Sequence, residues 1–282
     1  AVDHFLDRLS FKEGDTWRAF RDTDYSRLRV AFGRAGFKPV GPEIMKSAVE
    51  LVGERFAFDS ATQWAESLRH DGRSRIDTAL SVYFGVADTP YARAVSRYLF
   101  TALAGRCLSP GCQADMALVL VGPQGLRKTS GVAALAPSVE AFAELDLSKK
   151  DDDLARAIRG KLVAELAELQ GLSGRQMESI KAWVTRRWER WTPKYKEFET
   201  NFARRVVLIG TTNDREILDD PTGERRWLPV DVTRVEVELL ERDRDQLWAE
   251  GVAQWRAGGI AWEEAQRLAP AVHGEYKVHD EW

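Results

Sequence analysis

Three short runs of apolar residues impose the strongest constraint on how this 282-residue chain can fold. The runs are Met116–Val121, Leu162–Ala164 and Val206–Ile209, and helix-like sequence separates each run from the next. A short strand without alternating polar residues is buried on both faces, which is typical of a parallel sheet covered by helices. The sequence therefore predicts an α/β fold with a mostly parallel sheet.

The sequence before these runs predicts a helical region. Its clearest segment, Tyr91–Ala104, carries one apolar stripe at helical spacing and is followed by Gly105. Helical spacing of apolar residues returns in the tail from Val237 onwards. We therefore divide the chain into an N-terminal helical region, residues 1–112, and an α/β core with C-terminal helices, residues 113–282.

Composition excludes several classes of protein. Apolar residues make up 44% of the chain and charged residues 30%, which excludes a mostly disordered chain. No apolar run approaches the roughly 18 residues of a membrane span, and the N-terminus lacks a signal pattern, so we expect a cytoplasmic protein without a membrane partner. A net charge of −3 excludes a uniformly basic nucleic-acid coat but permits a local basic patch.

The turn after the first apolar run predicts a phosphate-binding loop. In such a loop the backbone N–H groups surround a phosphate, Lys128 contacts the β- and γ-phosphates, and the hydroxyl of Thr129 binds Mg²⁺. We therefore expect ATP and Mg²⁺ as ligands. The alternative is a strand-to-helix turn that binds nothing. The candidate nucleotide-binding residues are Gly122, Pro123, Gln124, Gly125, Leu126, Arg127, Lys128, Thr129 and Ser130.

Arg127 departs from the usual pattern, which has glycine directly before the lysine. Glycine serves positions that need an unusual φ or a close approach of the backbone. Arg127 must therefore tolerate that geometry, reshape the loop or direct its guanidinium at phosphate. Nucleotide binding without efficient hydrolysis is the corresponding functional alternative.

Two carboxylates follow the second apolar run, at Glu165 and Glu168. A carboxylate within an apolar strand is costly unless it meets a cation or a donor. In phosphate-loop enzymes, one such carboxylate helps to hold Mg²⁺ and another orients or deprotonates the attacking water. We favour Glu165 as the metal ligand, although the residues alone do not assign the two roles. The alternative is an amphipathic helix with two solvated glutamates.

Polar side chains also follow the third run and precede a fourth. Asn213 ends the strand that begins near Val206, where an amide can bind the γ-phosphate or the attacking water; the alternative is a simple turn. Arg225 and Arg226 precede the apolar segment Trp227–Val230. An arginine that contacts the γ-phosphate bound by a neighbouring subunit offsets the negative charge that develops on the phosphoryl group during its transfer. Surface salt bridges are the alternative for this pair.

A basic, aromatic segment spans Arg175–Arg205, with nine basic and four acidic residues. Basic residues meet phosphates and aromatic rings stack on bases, so this composition favours contact with single-stranded nucleic acid. The candidate contacts are Arg186, Arg187, Arg190, Lys194 and Lys196. The alternative is an amphipathic helix whose apolar face comprises Met177, Ile180, Val184, Trp188 and Trp191.

In this order, the motifs resemble the virulence-associated protein E family of phage and mobile elements, which are helicase-like P-loop ATPases similar to superfamily 3 helicases. The resemblance covers roughly residues 60 to 265. The resembling segments are Gly122–Thr129, Arg159–Leu169, Ile180–Arg187, Gly210–Asn213 and Thr222–Pro229.

The resemblance implies an AAA+-like core that assembles as a homo-oligomer, with a hexameric ring as the expected form. It implies that Lys128 and Thr129 hold phosphate and Mg²⁺, that Glu165 or Glu168 serves the acidic strand, and that Asn213 is the sensor. Arg225 or Arg226 would act across a subunit interface, and the basic segment would face DNA inside the ring.

Three functional hypotheses follow from these observations. The first is an ATP-driven motor on single-stranded DNA or a fork, as in a replicative helicase of a phage or mobile element. The second is a nucleotide-gated DNA-binding or assembly ATPase that turns over weakly because of Arg127. The third is a P-loop kinase acting on a small molecule, which the basic segment does not favour.

Overall fold

The computed structural model describes residues 1–167, 180–191, 199–215 and 224–277 of the chain. The chain divides into two compact units, Ala1–Gln63 and Trp64–Trp282. Predicted residues Glu168, Lys194 and Lys196 lie outside the described residues. In the described parts, no helix is both long and apolar enough to cross a bilayer.

The first unit begins with a small antiparallel sheet that the sequence did not predict. Its strands are β1 (Val2–Asp3), β2 (Arg8–Glu13) and β3 (Thr16–Ala19), in that spatial order. Two helices follow, α1 (Asp22–Arg34) and α2 (Pro42–Arg55). The strands are short and largely half-buried or exposed, so they lack the apolar run that marks a buried strand.

Helices occupy most of the chain between the small sheet and the large one. They include α3 (Ser60–Ser67), α4 (Ala79–Phe84) and α5 (Pro90–Leu108). Helix α5 covers the helix that the sequence predicted, and it begins where Pro90 occupies the first turn and the Thr89 side chain accepts a hydrogen bond from the Ala92 N–H. The predicted division at residue 112 falls between the end of α5 and the first strand of the large sheet.

The large sheet of the second unit has five strands, all of them parallel. In chain order they are β4 (Ala117–Val121), β5 (Phe142–Leu145), β6 (Val163–Leu166), β9 (Val207–Thr212) and β10 (Trp227–Asp231), and their spatial order is β10-β4-β9-β6-β5. This confirms the predicted α/β fold with a parallel sheet. Because the strands are parallel, their carboxyl ends meet at one edge, which is where such sheets bind ligands.

Helices complete the second unit around this sheet. They are α6 (Lys128–Ala134), α7 (Asp151–Ile158), α8 (Val237–Gly258) and α9 (Glu263–His273). Helix α8 packs closely on α5 at Gly251. A Cβ at this position would lie 2.6 Å from the Phe100 carbonyl oxygen. Only glycine permits that approach of the two backbones.

The basic segment does not form the helix that the sequence offered as an alternative. Residues 180–184 are helical, but β7 (Trp188–Trp191) pairs antiparallel with β8 (Thr200–Ala203). Residues alternate between exposed and buried along β7, and Trp191 packs edge-on against Phe202 with 5.4 Å between ring centroids. The apolar spacing that suits one helix therefore belongs to two different elements, with Ile180 and Val184 in the helical turn and Trp188 and Trp191 in β7.

Candidate functional site

The loop after β4 has the strand–loop–helix arrangement that the sequence predicted. Gly122 follows β4, and α6 begins at Lys128. A Cβ at Gly122 would lie 2.6 Å from the Val232 carbonyl oxygen, so this position admits glycine alone. Gly125 has a φ of +89° within the loop. The loop therefore depends on its two glycines for the turn from strand to helix.

Arg127 tolerates the geometry for which glycine is usual. Its φ is +63° and its ψ is 32°, which is the left-handed region. This conformation costs a non-glycine residue about 1–2 kcal/mol. The guanidinium lies at the rim of the loop, where Nη1 is 2.9 Å from Oε1 of Glu238 in α8. Because both side chains are largely exposed, this ion pair stabilises the fold little.

The ammonium group of Lys128 binds three oxygen atoms of the chain itself. It donates to the carbonyl of Gly122 at 2.6 Å, to the carbonyl of Pro123 at 3.0 Å and to Oδ1 of Asn213 at 2.9 Å. A lysine ammonium has three donors, so all three are used. Burial lowers the pKa of Lys128 from its ordinary value. The site thus holds a desolvated cation that an entering phosphate would bind by replacing these oxygens.

Glu165 lies at the centre of a hydroxyl and carboxylate cluster. Its Oε1 accepts hydrogen bonds from Thr129 at 2.9 Å and from Thr211 at 2.6 Å. The side chain is fully buried, and its Oε2 has no hydrogen-bond partner among the described residues. Burial is the main cause that raises the pKa of this carboxyl, and the nearby Glu144 raises it further.

The residues around Glu165 fit a hard divalent cation. Mg²⁺ prefers oxygen ligands and is held in proteins by one or two carboxylates together with substrate phosphates. The Thr129 hydroxyl and the Glu165 carboxylate supply oxygen atoms at one point, and the unpartnered Oε2 would be available as a ligand to such a cation. Thr129 and Glu165 are the two residues that the sequence predicted for metal.

These groups face one cavity of about 640 Å³ at the carboxyl edge of the sheet. The cavity brings together most of the predicted loop with Glu165 and Asn213. It also contains Glu144, which sequence reasoning missed, and Ala167, Thr211 and Thr212, which lie in the resembling segments but were given no role there. The residues that line it are Gln124, Gly125, Leu126, Arg127, Lys128, Thr129, Glu144, Glu165, Ala167, Thr211, Thr212 and Asn213.

The arginine pair lies near the amino ends of the strands of the same sheet, whereas the cavity lies at their carboxyl ends. Arg225 and Arg226 directly precede β10, whose Trp227 pairs with Ala117 at the start of β4. The predicted phosphate loop begins after the last residue of β4. A five-residue strand spans on the order of 16 Å, so the arginines and the loop of one chain are separated by about that distance. Both arginines instead line a second cavity, of about 300 Å³.

The basic segment distributes its charges between the interior and the surface. Arg186 lies 2.7 Å from Asp151, and Arg187 donates to the Gly111 carbonyl at 2.5 Å. Arg190 is exposed on β7, and no partner of its guanidinium is found in the described residues. Of the three predicted contacts that the structure describes, Arg190 is therefore the one presented to solvent without a partner.

A buried ion pair accounts for another part of the basic character. Arg204 and Glu189 form an ion pair, and their side chains are only 1% and 3% exposed, respectively. The Arg204 guanidinium carbon also lies 4.2 Å from the ring centroid of Trp183. Burial lowers the pKa of Arg204 to about 10. This arginine is part of the core, and no sequence signal separates it from the surface arginines.

Comparison with known proteins identifies one family. The family model of the virulence-associated protein E-like domain matches residues 65–278. No curated protein matches the chain.

Solved structures resemble the chain at low sequence identity. The apo structure of the NrS-1 C-terminal region (305-718) is 14% identical, covers 98% of this chain and 71% of its own, and superimposes with a TM-score of 0.55. A second apo form of that region is 15% identical, with coverage of 94% and 65% and a TM-score of 0.49. At this identity, the first likeness supports the fold alone.

Proposed function

The chain belongs to the virulence-associated protein E-like family, and we propose that it binds ATP with Mg²⁺ in the cavity beside β4 and uses the hydrolysis of this ATP to move along DNA. One observation carries this proposal: Lys128, Asn213 and the Thr129–Glu165 pair converge on a single cavity. The biological role that fits best is a replicative helicase of a phage or mobile element, acting in the cytoplasm.

Each group in the cavity has a distinct part in this reaction. The loop N–H groups and Lys128 bind the phosphates, and Asn213 binds the γ-phosphate or the attacking water. Thr129 and Glu165 hold the cation. When bound, Mg²⁺ neutralises the charge that develops on the β- and γ-phosphate oxygens.

The position of the arginine pair supports assembly into a ring. Arg225 and Arg226 lie at the amino edge of the sheet, too far from the loop of their own chain to contact its γ-phosphate. An arginine supplied by a neighbouring subunit is a known way to complete such a site. We therefore propose a homo-oligomer, with a hexameric ring as its form, in which each interface holds one nucleotide.

The partner that we propose is single-stranded DNA or a fork. Arg190 on β7 is exposed and available to a phosphate, and Lys194 and Lys196 remain candidate contacts that lie outside the described residues. Contacts to phosphate give an affinity that falls as salt increases.

An ATPase assay tests this function directly. We expect the wild-type protein to release phosphate from ATP and Mg²⁺ and to do so faster with single-stranded DNA. Lys128→Ala should abolish release because the phosphates lose their main cation. Lys46→Ala, on the exposed face of α2, is the matched control. Equal activity of the wild-type protein and Lys128→Ala would contradict the proposal.

A second function has its own supporting observation, the left-handed Arg127 and its ion pair with Glu238. The alternative is a nucleotide-gated DNA-binding or assembly ATPase that turns over weakly because this side chain restrains the loop. It predicts ATP binding with little phosphate release, and Arg127→Gly should raise turnover. Unchanged turnover of Arg127→Gly, beside efficient wild-type hydrolysis, would reject this alternative.

A further inference from the structure

The cavity contains a second carboxylate, Glu144, which no motif predicted. Glu144 in β5 pairs in register with Glu165 in β6, and both line the cavity. Paired residues of neighbouring parallel strands lie about 4.8 Å apart and project to the same face of the sheet. Two glutamates therefore stand side by side at the point where the loop, Asn213 and Thr129 converge.

The two carboxylates have different surroundings. Glu165 is fully buried and accepts hydrogen bonds from two hydroxyl groups, while its Oε2 is buried without a partner in the described residues. Glu144 is exposed to the cavity, and none of the described residues makes a hydrogen bond or ion pair with its side chain. Glu144 can therefore exchange a proton with solvent, whereas Glu165 is enclosed.

These surroundings assign different chemistry to the two groups. A cation at Thr129 and Glu165 would use the carboxylate that has an unpartnered oxygen, and a bound cation makes that carboxylate a poorer base. A general base needs access to the proton that it accepts and a route to release it. Glu144 meets both needs because it faces the cavity and is open to water.

We propose that Glu144 holds the water that attacks the γ-phosphate, while Glu165 holds the cation. This inference rests on the proposed ATP hydrolysis. The water oxygen forms a bond to the γ-phosphorus as the bond from that phosphorus to the β–γ bridging oxygen breaks. The products are ADP and phosphate, and the proton of the water passes to the Glu144 carboxylate and then to solvent.

Single-turnover hydrolysis, with protein in excess over ATP, separates this role from binding. Glu144→Gln should bind ATP and Mg²⁺ within about twofold of the wild-type protein by calorimetry, and its single-turnover rate should fall about 10²–10³-fold. Glu144→Asp should retain part of the rate. The control is Glu66→Gln, an exposed glutamate on α3.

The outcomes distinguish this inference from the function beneath it. If the wild-type protein neither binds nor hydrolyses ATP, the proposed function fails. If it does both, and Glu144→Gln hydrolyses within about threefold of it, only the role of Glu144 is overturned. A larger loss in Glu168→Gln than in Glu144→Gln would assign the water to Glu168. Loss of the fold in Glu144→Gln would contradict the absence of a structural partner for its side chain.

Discussion

The ammonium nitrogen of Lys128 lies 2.9 Å from Oδ1 of Asn213, which joins the predicted phosphate loop to the end of the neighbouring strand β9. Lysine only donates hydrogen bonds, so the amide oxygen of Asn213 must face it. The contact therefore links the group that would bind phosphate to the group that would sense it. An entering γ-phosphate would be drawn into the same space by the lysine and would meet the asparagine there.

This contact predicts how Asn213→Ala divides binding from turnover. The variant removes one of the three oxygens that hold Lys128, so the empty site loses a competitor for the lysine. We expect ATP affinity to be retained or raised, and the rate of phosphate release to fall on the order of 10²-fold because the γ-phosphate or the water loses a partner. Calorimetry and a steady-state assay measure the two effects.

The control for that variant is Asn201→Ala, on β8 and outside the cavity. It should leave both quantities unchanged. A parallel loss of affinity and turnover in Asn213→Ala would show that the asparagine acts in binding and not in the reaction.

Glu165→Gln should make the empty protein more stable at neutral pH. Burial raises the pKa of Glu165, so the folded protein holds this proton more tightly than the unfolded chain does. The protonated Glu165 carboxyl makes its full contribution to the free energy of unfolding below about pH 4. This contribution is lost as the pH rises through the raised pKa. Glutamine stays neutral, so its advantage should be on the order of 1 kcal/mol at pH 8 and should vanish near pH 4.

Urea unfolding without divalent cations, followed from pH 4 to pH 8, measures this difference. Mg²⁺ with ATP should then stabilise the wild-type protein more than Glu165→Gln. Glu66→Gln should show neither effect. A Glu165→Gln protein that is less stable than the wild type across the whole range would exclude an uncompensated charge at this position.

The apolar runs made the sheet and its loop predictable, whereas the edge strand β5 was not predictable. Strand β4 is buried along its whole length, so its sequence contains only apolar residues and the loop after it stands out. Strand β5 is only partly buried and places Glu144 in the cavity. Strand β5 has one neighbour and is only partly buried, so it needs no continuous apolar run, and no sequence pattern pointed to Glu144.

The basic segment shows a different limit of sequence reasoning. Net charge counts Arg204 and Arg190 alike, but Arg204, which follows β8, is buried against Glu189, whereas Arg190 is exposed on β7. Successive side chains of β7 take opposite faces in its antiparallel register with β8, so Glu189 lies inside with Arg204 and Arg190 lies outside. That register depends on residues far apart in the chain, and composition does not report it.

Arg204→Met and Arg190→Met should therefore affect different properties. Arg204→Met leaves Glu189 buried without its cation and should lower the free energy of unfolding by about 3–5 kcal/mol. Arg190→Met should leave stability unchanged, weaken single-stranded DNA binding and reduce the salt slope by roughly one. Urea unfolding and binding titrations at several salt concentrations test the pair, and each variant serves as the other's control. A stable Arg204→Met protein would contradict the buried pair.

The separation of the arginine pair from the loop predicts complementation between two inactive variants. Lys128→Ala keeps Arg225 and Arg226, and the double variant Arg225→Ala/Arg226→Ala keeps the loop. Each alone should be inactive, because every interface lacks one half of its site. If the subunits mix at random, about a quarter of the interfaces in an equal mixture hold both halves, so about a quarter of the wild-type rate should return. Lys128→Ala mixed with itself at the same total concentration is the control. A mixture that stays inactive, while the wild type forms rings, would place the arginines outside the neighbour's site.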